Sequence, residues 1–128
     1  MTAIADLSAT ELAAAIQTKA VSPVEAVEAA LTRIEERQEL NAFMAICADR
    51  ARAEARTAEA AVMSGDPLGP LHGIPLSVKD LTNTEGVATT QGCALFADSV
   101  PAADAVAVAR ARGRRYSDWQ DDHAGIRP

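Results

Sequence analysis

A lysine and an aspartate that end a short apolar run are the residues here best placed to do chemistry. Lys79 and Asp80 close the stretch Gly69-Pro-Leu-His-Gly-Ile-Pro-Leu-Ser-Val-Lys-Asp-Leu81. Gly69, Pro70, Gly73 and Pro75 break any helix, so the run from Leu76 to Lys79 reads as a short buried strand. An ammonium held at the edge of a core loses hydration, which favours the neutral amine and makes it available as a base. The same spacing also fits an ordinary strand-end lysine, with its stem along apolar surface and its head in water. Spacing alone leaves both readings open.

The other reactive side chains form no pattern. Cys47 and Cys93 are far apart, which fits reduced, buried thiols better than a metal site. His72 and His123 add no ligand pair of ordered spacing, so no metal and no cofactor is expected.

Taken together, Gly69-Pro-Leu-His-Gly-Ile-Pro-Leu-Ser-Val-Lys-Asp80 and Thr84-Glu-Gly-Val-Ala-Thr-Thr-Gln-Gly92 resemble the opening of the amidase signature family. The likeness runs from residue 4 to about residue 110, and its twelve-residue centre is specific. The resemblance implies an α/β fold with helices packed on a mixed sheet, present here as its N-terminal part. It also implies hydrolysis of carboxylic amides by a Ser–cis-Ser–Lys triad, with Lys79 at the position of the lysine base. A small-molecule amide would be the substrate of a full-length relative, and residues 82–92 would form part of the active-site wall. Without the resemblance, 82–92 reads equally well as a surface loop. Cys93 stands where many relatives carry a serine.

The elements that must position Lys79 are mostly helical. Ser8 with Glu11, and Ser22 with Glu25, have capping-box spacing. Leu7 and Leu12 are placed as a hydrophobic staple, and Pro23 stands at a first helical position. Leu12 and Ile16 share a face; Val24, Val27, Leu31 and Ile34 mark the apolar stripe of the next helix. Residues 41–46 read as a strand. Residues 48–63 read as an alanine-rich helix, with Arg50, Glu54, Arg56 and Glu59 spaced for surface ion pairs. Ser64-Gly-Asp-Pro67 ends it. A last helix is expected to start at 102–104. Helix, helix, strand, helix, strand favours an α/β sheet.

Composition bounds the rest. With 128 residues, the chain makes one domain or part of one. It is 48% hydrophobic and only 3% aromatic, so its core relies on small side chains. A net charge of −6 argues against a nucleic-acid surface. No apolar run approaches a membrane span and no export signal opens the chain, which makes cytoplasm the default. Oligomeric state is not legible.

From Arg112 the pattern breaks. The only Trp and Tyr fall in this charged tail, and no apolar period survives. The stretch 112–128 is expected to be either a disordered tail or a translation of the wrong frame. One permitted choice of codons for 114–128, read one base later, spells Gly-Gly-Ile-Leu-Ile-Gly-Lys-Thr-Thr-Thr-Pro-Glu-Phe-Gly. That resembles the family's next segment, so a frame slip near 110–112 is expected. Both triad serines would then lie beyond the slip, and neither Ser99 nor Ser117 has a nucleophile's context. The chain as written is expected to be an inactive amidase fragment. A fragment of the amidase subunit of a tRNA-dependent amidotransferase, and a non-catalytic α/β interaction module, are the alternatives.

Overall fold

The computed structural model describes residues 3–113, which divide into two compact units between Leu76 and Ser77. His123 and Ser117, and the tail from 114 on, lie outside the described residues.

The first unit is built on three helices, α1 (Ala9–Gln17), α2 (Pro23–Glu36) and α3 (Ala48–Ser64). Both capping boxes form. The Ser8 and Ser22 backbone N–H groups each donate to a glutamate Oε2 at 2.8 Å, and each serine Oγ accepts from the glutamate's N–H. Each box therefore pairs two backbone N–H groups at a helix start, one on the cap residue and one inside the first turn. Gly65, in the left-handed region at φ +76°, ends α3, two residues before Pro67.

Two apolar clusters hold these helices. Leu12, Ile16, Ala26 and Val62 form the first, with Ile4, Leu7, Val21, Leu68 and Ile74 packed against it. Leu7 thus lies beside the Leu12 cluster, as a staple requires. Val27, Leu31 and Ala55 form the second, flanked by Val24, Ala48 and Ala51. Alanines at 48, 51 and 55 line one face of α3, and their small side chains allow a close approach to α2. Ile16 is only 1% exposed; burying such a side chain contributes about 1.5–3 kcal/mol. On α3, Arg50 pairs with Glu54 at 3.1 Å. Sequence spacing did not reveal the bidentate pair of Arg52 with Glu28, at 2.7 and 3.1 Å, which ties α3 to α2. The Arg52 hydrogen bonds hold the Glu28 carboxyl below the usual glutamate range.

The second unit is held by polar contacts. Asn83, Gly86 and Thr89 meet Ala105, Pro101 and Ser99 through backbone hydrogen bonds of 2.8–3.0 Å, so the two segments run antiparallel. Thr84 and Val87 form an isolated bridge. The buried carboxylate of Asp104 accepts from the Glu85 N–H at 2.8 Å and from Arg112 at 2.7 Å. Helix α4 (Val106–Ala111) buries Val108 and Ala109.

Three expectations are corrected. Neither 41–46 nor 76–79 forms a strand, and no strand occurs among the described residues. A strand exists only through ladder bonds to another segment, and no described segment supplies them; Asn41 also turns into the left-handed region at φ +47°. The mixed sheet is therefore not formed by residues 3–113. Helix α4 begins at Val106 rather than at 102–104, because Asp104 is engaged with Glu85 and Arg112. Cys47 is exposed and Cys93 half-buried, so neither is the buried thiol expected; Cys47 stands at the N-terminus of α3 and Cys93 follows the turn at Gln91–Gly92.

Candidate functional site

The Gly69–Asp80 stretch crosses from one unit to the other, and its two halves do different things. In the first half, the His72 N–H donates to the Gly69 carbonyl at 3.1 Å, and Ile74 N–H to Leu71 at 3.2 Å. These two tight turns need Gly73 at φ +74°. Gly73 is required for a second reason. A Cβ there would lie 2.8 Å from Pro23 Cγ and 3.4 Å from Ile16 Cδ1, and both side chains are fully buried. His72 Nε2 lies 2.9 Å from the Ala58 carbonyl oxygen of α3. Ile74 packs on the Leu12 cluster. The first half of the motif is thus a fastener that fixes where the chain leaves the helices.

The second half carries Lys79 and Asp80. Lys79 is exposed, and its carbonyl accepts from the Thr82 N–H at 2.9 Å, closing a turn. Asp80 is half-buried and accepts from the Thr90 N–H at 2.7 Å, from the Thr90 hydroxyl, and from the Gly92 N–H at 3.4 Å. Its carbonyl takes the Gln91 N–H at 2.9 Å. Gln91 and Gly92, both at positive φ (+54° and +70°), curl the backbone so that successive N–H groups point at Asp80. The Thr90 hydroxyl first, then the Thr90 N–H, hold the Asp80 carboxyl below its ordinary value of 3.8.

Asp80 is therefore a clasp that folds the 82–92 loop back onto the residue next to Lys79. Sequence reading missed this. The available signal was Thr90-Gln-Gly92, a turn former preceded by a hydroxyl, ten residues beyond an aspartate inside the motif. Ser99, exposed, uses its backbone N–H on Phe96 and its carbonyl on Thr89. Cys93 likewise sits in a turn, donating its N–H to Thr90. The described residues contain no group of three or more His, Cys, Asp or Glu able to hold a metal. No described helix is long and apolar enough to cross a membrane.

The motif fastened at His72 and Gly73 and leading to Lys79 lies inside a stretch that matches a known family. The amidase family profile matches residues 25–114, and the chain belongs to that family. It is 45% identical over 101 residues to a glutamyl-tRNA(Gln) amidotransferase subunit from Anaeromyxobacter dehalogenans, covering 78% of this chain and 20% of that protein. It is 37% identical to the acylamidase of Rhodococcus erythropolis, over 84% of this chain and 23% of the other. A solved structure, described as a vestigial protein complex that reveals the origins of an s-triazine catabolic enzyme, superposes with a TM-score of 0.80. There the identity is 34%, over 84% of this chain and 24% of that one. The chain spans about a fifth to a quarter of the length of these proteins.

Proposed function

We propose that this chain carries the lysine base of an amide-hydrolysing site whose two serines lie outside it. One observation carries the reading: in a member of the amidase family, Lys79 follows the fastened turn 69–74 and directly precedes the clasped Asp80. In the complete site, a serine Oγ would bond to the amide carbonyl carbon while its proton passes through a second serine to the neutral Nζ of Lys79. Backbone N–H groups would hold the oxyanion. The proton would return to the leaving amine as the C–N bond breaks, and water would then release the acyl group. Burial of Lys79 is part of this proposal, and the remainder of the fold would have to provide it.

The 128 residues alone should not turn over an amide, because members of a unit that acts together lose nearly all catalysis when separated. We place residues 1–111 in the amidase domain and 112–128 in a translation of the wrong frame. The test is to sequence the DNA across codons 100–128 and downstream, then express the restored frame. An open neighbouring frame, amide hydrolysis by its product, and a loss of about 10²-fold or more in Lys79→Ala are expected. Immediate stop codons would sink the slip, and parental rates in Lys79→Ala would sink the base assignment. Amidotransferase relatives at 39–48% identity also support a second reading, in which the same site serves a tRNA-dependent amidotransferase. Glutaminase activity that emerges only with partner subunits would select it.

A further inference from the structure

The main chain of Lys79 is held from one side. Residues 76–78 before it are exposed and make no backbone hydrogen bond among the described residues. After it, the Lys79 carbonyl accepts from the Thr82 N–H and the Asp80 carbonyl from the Gln91 N–H, both at 2.9 Å. Asp80 Oδ1 accepts from the Thr90 N–H at 2.7 Å, and Oδ2 accepts from the Thr90 hydroxyl and from the Gly92 N–H at 3.4 Å. The Gly92 N–H also reaches Thr90 Oγ1 at 3.2 Å, so this hydroxyl donates to the carboxylate and accepts from the backbone. Peptide units are planar, and the two that follow the Lys79 α-carbon each have their carbonyl engaged, which leaves few rotations between the clasp and the lysine.

We infer that Asp80 is the positioning residue of Lys79: its clasp fixes the main chain that carries the lysine and joins it to the 90–92 turn as one body. The catalytic meaning of this role rests on the reading of Lys79 as a base; the coupling itself does not. A carboxylate suits the task because it has no hydrogen to present, so all three donors can converge on its two oxygens. An asparagine would keep one acceptor and turn an N–H₂ group toward the Gly92 N–H. A displacement of the 90–92 turn is thereby felt at Lys79. For a base, placement is worth rate rather than binding, and a shift of about 1 Å can cost about 10²-fold.

The test is amide hydrogen exchange by NMR on the full 128-residue chain. Thr82 is the reporter, because its N–H donates to the Lys79 carbonyl and not to Asp80. Its exchange is expected to rise about tenfold or more in Asp80→Ala and in Thr90→Val. Thr90→Ser, which keeps the hydroxyl, should match the parent. The Gly86 amide, bonded to Pro101 in the same unit, should keep its parental rate throughout. Unchanged exchange at Thr82 beside faster exchange at Thr90 and Gly92 in Asp80→Ala overturns the inference, since the clasp would then hold the loop alone. So does an equal rise at Gly86, which would make Asp80 a support of the whole unit, and so does an unprotected Thr82 amide in the parent. In an open-frame product that hydrolyses amides, Thr90→Val should lower kcat about tenfold or more with KM within about twofold. Parental kcat there, with Lys79→Ala inactive, overturns the positioning role and leaves the base assignment standing. Parental hydrolysis in Lys79→Ala removes the base assignment and, with Thr82 faster in Asp80→Ala, leaves the positioning of the Lys79 main chain standing.

Discussion

Residues 3–76 and 77–113 are held together in different ways. The first region hides isoleucine, leucine, valine and alanine on three capped helices and leaves its charges outside. The second buries Thr89 and Asp104 beside Val108 and Ala109, and leaves Leu81, Leu95, Phe96, Val100 and Val106 exposed. A region stabilised by apolar burial carries its own driving force, because the gain is roughly proportional to the area it removes from water. A region stabilised by hydrogen bonds gains little net energy from each, and depends on every polar partner staying satisfied. Lys79, the base we propose, lies in the second region.

The contrast can be broken most severely from the helical side. Ile16→Ala should destabilise the first region by about 4 kcal/mol, since it removes a fully buried side chain and leaves a cavity. A thermal melt followed by helix signal measures it. If the regions are held as differently as their interiors suggest, hydrogen exchange at the Thr90 amide should stay unchanged. Gly73→Ala comes next, at about 3 kcal/mol: the added methyl meets Pro23 in a buried site and the left-handed backbone disfavours it. Denaturant titration should show this loss, and Pro23→Ala in the same chain should recover part of it by opening the space.

On the polar side, Asp80→Asn should release the 82–92 loop. Exchange at the Thr90 and Gly92 amides should rise while the helical melt stays put. The pH dependence has a definite sign. The Asp80 carboxyl is held below 3.8 in the folded loop, so its contribution is present above that value and fades as pH falls through the lower folded value. Loop protection in the parent should therefore drop at acid pH, and in Asp80→Asn this acid limb should vanish. An unchanged acid limb in the variant would mean that another carboxylate closes the loop. The smallest effect is expected from Arg52→Ala. Its pair with Glu28 is partly exposed, so the loss should be slight at low salt and disappear at high salt.

The helices of the first region were legible because their signals are local. Ser8 with Glu11, Ser22-Pro23 with Glu25, and Gly65 with Pro67 each say within four residues where a helix starts or stops. The family was legible too, from Gly69–Asp80. The strands at 41–46 and 76–79 were not, because an apolar run of four to six residues does not reveal whether another segment will pair with it. The burial of Lys79 failed with the strand, since one argument carried both. The Asp80 clasp escaped because its partner lies ten residues on, a distance no periodicity covers. Exposure of Leu95 and Phe96 was equally invisible; an apolar residue looks the same in sequence whichever way it faces.

One contact in the fastener has a further consequence. A carbonyl oxygen can only accept, so the Ala58 contact obliges His72 to carry a hydrogen on Nε2. In the neutral ring this leaves Nδ1 as the lone-pair nitrogen. A histidine inside a catalytic signature invites a role in moving protons, yet this one has its outward-reaching nitrogen committed to a helix. It behaves as a hinge pin, and a reagent that attacks a lone-pair imidazole nitrogen should find only Nδ1.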